Sequence, residues 1–350
     1  MKFYLFDLSL VMIFTLGLQA HATPTDSAGK IHFTEINKMK LGGEGGWDYL
    51  TAEPENQRLY LSRGQRVQVI DTSTGKTIYE VLGTEGVHGI ALVPELELGF
   101  TSNGKAANLS AFELKTGKVV ALIPVGQNPD AILYDRFTKK IYSFNGKSHD
   151  VSVVDPKEKK LVSTLNLSSK PEFAVSDGAG YIYVNLEEEN ALVKINAKDL
   201  KIEASYPLKP CEGPTGLSID EKTHRLFAGC SNRLMAVINA DNGKVIKTMN
   251  VGSQVDATAF DAKRNLIFVS AGEGVMSVIH EKTPNEYELV ENVKTQKGAR
   301  TLAFDSKTGN VFLASADFGP PPKQTNENAK ARPSIVPNSF VVIVMSSSAK

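Results

Sequence analysis

Cysteine occurs twice and tryptophan once in these 350 residues. The two cysteines lack Cys-x-x-Cys spacing, which excludes a dithiol redox motif, and no Cys-x-x-Cys-His is present for covalent haem. A surplus of one charge sign is missing too, since Lys plus Arg and Asp plus Glu number 39 each. A protein built mainly to hold phosphate backbones would be basic, so nucleic-acid binding is left only to local arginines such as Arg63 and Arg300. The apolar runs 8–18 and 340–345 are too short to span a bilayer. Helical periodicity of useful length is absent, which argues against a helical solenoid. Thr74-Gly75-Lys76-Thr77 imitates the end of a phosphate-binding loop, but Ile70 stands where that loop needs its first glycine. No Gly-x-Ser-x-Gly nucleophile elbow occurs.

What the chain does contain is one pattern repeated seven times, centred on Leu59-Tyr60-Leu61, Gly99-Phe100-Thr101, Ile141-Tyr142-Ser143, Ile182-Tyr183-Val184, Leu226-Phe227-Ala228, Ile267-Phe268-Val269 and Val311-Phe312-Leu313. Each core is short and β-branched or aromatic, with turn residues on both sides. A strand of small residues precedes each, as in Ala257-Thr258-Ala259, which suits an innermost strand where sheets converge on an axis. Turns such as Thr74-Gly75-Lys76 and Thr116-Gly117-Lys118 follow the third strands, and their glycines fit a position that needs positive φ. A period of roughly 40 to 44 residues with four strands is that of a propeller blade. The expected fold is therefore all-β: a seven-bladed β-propeller of four-stranded antiparallel blades. The last repeat ends after its third strand, so the segment 31–39 is expected to complete blade seven as its outer strand and close the ring.

Residues 1–22 read as a signal peptide, with Lys2, an apolar core and Ala20-His21-Ala22 as cleavage site. The remaining residues, 23–350, are expected to form a single propeller domain in the periplasm or outside the cell, interrupted by a long Pro-rich and polar loop at 318–337. Loss of the leader removes Lys2 and Asp7 together, so the mature chain stays formally neutral. Length alone would suggest two domains, but seven blades make one closed unit with no folding need for a partner. Cys211 and Cys230 both fall in repeat five and are expected to form a disulfide in an oxidising compartment, with Cys230 opposite Thr215.

Alignment of the repeats puts Asp48, His88, Asp130, Glu172, Thr215, Asp256 and Arg300 at the entrances of the seven inner strands, around one mouth of the central channel. Such a concentration of titratable groups is the best candidate ligand site in the chain, and it also suits a hydrated structural ring. Asp48, Asp130, Glu172 and Asp256 are candidates to hold a divalent cation, and His88 is the candidate general base. Arg63, Asn103, Asn145, His149, Glu187, Asn232, Glu273 and Asp317 are expected around them. Trp47, after a glycine-rich approach, offers either a stacking surface for a ligand or packing between blades one and seven.

The repeats resemble the YVTN β-propeller family, the YncE-like secreted propellers, through Ile182-Tyr183-Val184-Asn185, Ile267-Phe268-Val269-Ser270 and the Thr-Gly-Lys turns. That resemblance implies an exported seven-bladed propeller and no shared catalytic set. A more distant similarity is to lactonase-like propellers. The leading functional expectation is a binding or scaffold protein that engages a small ligand, peptide or envelope protein at the channel mouth. The alternative is a metal-dependent, lactonase-like hydrolase, and nucleic-acid binding comes third.

Overall fold

The computed structural model describes Met1, residues 31–321 and residues 333–348. The signal peptide expected at 1–22, apart from Met1, and the stretch 322–332 of the long loop lie outside the described residues.

The repeated aromatic determines the packing. Tyr60, Phe100, Tyr142, Tyr183, Phe227, Phe268 and Phe312 occupy one position per repeat, and none is more than 2% exposed. Each sits on the second strand of a four-stranded antiparallel sheet, and the described residues form seven such sheets. The inner strands Leu50–Glu53, Val87–Val93, Pro129–Asp135, Pro171–Ser176, Pro214–Asp220, Val255–Asp261 and Leu302–Phe304 touch their neighbours in a closed cycle. Core clusters lie between successive blades, so burial of the aromatics couples each blade to the next. The hydroxyls of Tyr142 and Tyr183 donate to the carbonyls of Ala197 and Ala240 in the following blades, at 3.0 and 3.3 Å.

The ring closes as the repeat count requires. His32–Lys40 pairs antiparallel with Val341–Ser348 and becomes the outer strand of blade seven. Gly75, Gly117 and Gly243 in the hairpin turns have φ of 70°, 76° and 72°, a region closed to most side chains. Asp71 secures the first of these turns by accepting the backbone N–H groups of Ser73 and Thr74 at 2.9 and 2.8 Å. No helix among the described residues is long and apolar enough to cross a membrane.

Cys211 and Cys230 form a disulfide with both cysteines fully buried. Cys230 stands opposite Pro214, however, and not opposite Thr215 as expected. A bulge between Pro214 and Leu217 shifts the register at that point, because two residues on the inner strand there have no single partner.

Candidate functional site

The same bulge recurs. It falls between Val87 and Ile90, Pro129 and Ile132, Pro171 and Ala174, Pro214 and Leu217, and Val255 and Ala257. His88, Asp130, Glu172, Thr215 and Asp256 all lie inside these irregularities, at the entrance of their strands. A bulge re-aims a side chain without ending the sheet, and proline just before Asp130, Glu172 and Thr215 costs nothing at a first strand position. Polar side chains on neighbouring strands then lock the backbone. The hydroxyls of Ser102 and Ser270 donate to the carbonyls of Asp130 and Arg300, and Asn185 donates to the Thr215 carbonyl at 2.8 Å. The backbone N–H of Asp48 donates to the Ser62 hydroxyl at 3.0 Å.

Five ring residues form one chain of contacts across five blades. Asp256 pairs with Arg300, whose guanidinium lies 3.6 Å from Asp48 Oδ1. Asp48 Oδ2 is 2.7 Å from His88 Nδ1, which lies 3.6 Å from Asp130 Oδ1. Glu172 belongs to a separate group, in which Lys170 Nζ lies 2.7 Å from Glu172 and 2.6 Å from Glu187. Thr215 turns away: its hydroxyl donates to the Val255 carbonyl at 3.0 Å, inside the wall.

Sequence reasoning passed over two aromatic residues at the centre of this arrangement. Tyr49 of blade one and Phe173 of blade four stack with centroids 5.5 Å apart, and the Tyr49 hydroxyl donates to the Glu172 carbonyl at 3.4 Å. Blades one and four are not neighbours, so the pair crosses the channel and forms a floor beneath the ring. Burial raises the Tyr49 phenol well above its ordinary range, and Asp130, Asp48, Glu172 and Asp256 add to the effect. Beyond the floor, a cavity of about 480 Å³ opens among the inner strands of blades one to three, against Ile90, Leu92, Ile132 and Leu133.

The carboxyl groups share too little positive charge for their burial. Burial pushes Asp130 up to about 7, with Asp48 and Glu172 pushing further and His88 opposing. Burial also pushes Glu172 up to about 7 against the pull of Lys170. For His88, burial works against the charged form, but the Asp48 hydrogen bond and the Asp130 charge outweigh it and raise the pKa. The mouth is thus a cup with titratable walls and an aromatic floor, able to exchange protons near neutrality and to hold a polar guest or a cation.

The other expected residues are placed elsewhere. Arg63 is buried, with its guanidinium 3.6 Å from the Phe340 ring and donating to the carbonyls of Gly42 and Glu44 at 3.1 Å. Burial lowers its pKa to about 10. Trp47 packs on Phe340 and Phe318, at 5.3 and 6.1 Å, so Trp47 and Arg63 both meet the phenylalanine that leads into the third strand of blade seven. Asn103 and Asn145 are fully buried and bonded within their own blades. His149 lies in a turn with φ of 55°. Asn232, Glu273 and Asp317 bond to Pro210, Ser253 and Gln296 in outer loops. The described ends of the long loop meet in a bridge between Phe318 and Ile335.

No family model matches this chain, and no curated protein matches it. Among solved structures it is similar to Kuenenia stuttgartiensis hydrazine synthase, with TM-score 0.69 and 14% identity over 77% of this chain and 92% of that one. It is also similar to U3-55K, with TM-score 0.73 and 10% identity over 88% and 98% of the two chains. The WD40 repeats of RRP9 align with TM-score 0.74 and 10% identity over 89% and 98%. At such identities the likeness shows the propeller fold alone.

Proposed function

We propose that this chain is an exported binding propeller of the YVTN kind that takes a small polar ligand in the cup at the channel mouth. One observation carries the reading: the Tyr49 and Phe173 stack crosses the channel, so the charged ring stands over a floor and not over an open pore. Arg300, held between Asp48 and Asp256, and Lys170, beside Glu172, give the wall both signs of charge. A polar guest can exchange its own groups for these internal pairs, whereas an apolar guest would strip their water and return no hydrogen bond. Export is supported by the buried disulfide, which an oxidising compartment maintains, and by the leader read at 1–22.

The test is a thermal-shift screen of the chain 23–350 against amino acids, organic acids and sugar phosphates. At least one compound should raise the melting temperature of the wild type and not of an Arg300→Gln/Lys170→Met variant. No shift from any compound, or equal shifts in both proteins, would overturn the reading. A second reading, hydrolysis on a metal-activated water, draws on the Asp48, His88 and Asp130 group alone, and its first requirement is an ion there.

A further inference from the structure

We infer that Asp48, His88 and Asp130 form a binding site for a borderline divalent transition ion, with Zn²⁺ the best fit. The inference rests on the reading of the mouth as a binding cup and names an ion as one of its guests. Three successive blades supply one donor atom each, and the three atoms lie within 4.8 Å of one another. Ligand atoms about 2.0 to 2.1 Å from a tetrahedral ion stand about 3.3 Å apart. The separations of 2.7 and 3.6 Å from His88 Nδ1 bracket that edge, so small side-chain rotations suffice to admit an ion.

The donor set selects the ion. One imidazole nitrogen with two carboxylate oxygens suits zinc, whereas calcium asks for six to eight oxygens. Asp130 gives the second, independent indication. Its side chain is only 15% exposed, and its ion pair with His88, at 3.6 Å, is too long for a hydrogen bond. A half-buried carboxylate so poorly compensated gains from a cation. Arg300 approaches Asp48 from the Oδ1 side and leaves Oδ2 facing His88, the outer support that a metal ligand needs. The Ser102 hydroxyl holds the Asp130 backbone in the same way. The fourth position faces the cup and is open to water or to the polar ligand.

The experiment is calorimetric titration of Zn²⁺ into chelator-stripped 23–350 protein carrying no histidine tag. One ion per chain is expected, with affinity reduced about a hundredfold by Asp130→Asn, since losing a ligand should cost at least what losing an outer-shell partner does. Cu²⁺ bound to the wild type should show nitrogen hyperfine coupling from one imidazole in its EPR spectrum, and His88→Ala should lose it. Circular dichroism verifies that each variant folds, and the wild-type EPR spectrum decides the matter should His88→Ala fail to. Stoichiometry well below one, unchanged affinity in Asp130→Asn, or a spectrum without nitrogen coupling would overturn the inference. Polar-ligand thermal shifts that persist without Zn²⁺ binding would sink the ion alone; Zn²⁺ binding without any such shift would sink the polar-ligand reading.

Discussion

At the channel mouth His88, Thr215 and Asp256 begin their inner strands and Arg300 leads into its own; four residues further along stand Leu92, Ile219, Phe260 and Phe304. The second set packs against the clusters between blades, as in the contacts of Phe260 with Phe227 at 5.3 Å and of Phe304 with Phe268 at 5.5 Å. The strands are bulged at the mouth and regularly paired further along, and the two ends also differ in what they meet. The far end meets apolar neighbours and gains from burial. The mouth holds carboxyls whose charged forms burial disfavours. Stability is concentrated at one end of the strand and tunable chemistry at the other, and truncations at the two ends should differ in sign.

The largest expected effect breaks the apolar end. Phe227 is fully buried and packs on Phe260 and Tyr287. Phe227→Ala should cost about 3 to 5 kcal/mol in urea unfolding. A loss below about 1 kcal/mol would mean that the clusters between blades do not carry the ring.

At the mouth the sign reverses. The folded pKa of Glu172, about 7, lies above its unfolded value near 4.5; burial raises it, Glu187 and Asp256 add to this, and Lys170 opposes. Its stabilising contribution is therefore complete below about pH 4.5 and is lost as pH rises towards 7. Chelator-treated wild type should melt higher at pH 5 than at pH 8 as far as this group is concerned. Glu172→Gln should flatten that slope and stabilise the protein at pH 8 by roughly 1 to 3 kcal/mol, since Lys170 keeps Glu187 as partner. An unchanged slope in the variant would show that Glu172 is solvated in the folded state.

The architecture was legible because its signals are local and repeated: one aromatic per second strand, one glycine per hairpin turn, and a missing outer strand matched by a spare segment. The ring columns were legible for the same reason, since the repeat fixes which residue starts each inner strand. Side-chain direction was not. Five entrance residues depend on bulges that no composition reveals. Arg63, Asn103 and Asn145 hold an equivalent repeat position at or just past the end of their second strands, yet all three are buried in the blade wall. Tyr49 and Phe173 did leave a trace, because large aromatics interrupt the run of small residues on inner strands in blades one and four only at that position. Lys170 stood two residues before Glu172 and was equally readable as its counter-charge.

Thr215 offers the finest comparison, because the repeat places it in the ring while its contacts place it in the wall. It is 8% exposed, and its hydroxyl donates to the Val255 carbonyl of the next blade. Thr215→Val removes that donor and leaves the volume nearly unchanged, so the expected loss is about 1 kcal/mol, the usual net worth of one buried hydrogen bond. Zn²⁺ affinity should be unaffected, since the Asp48, His88 and Asp130 contacts are all made in blades one to three. Equal stability in the variant would show that the bond contributes nothing to joining blades five and six. A Zn²⁺ affinity weakened by more than about threefold, or 0.65 kcal/mol, would show that the seven entrances respond as one unit, and that position in the repeat governs function more strongly than the direction of the side chain.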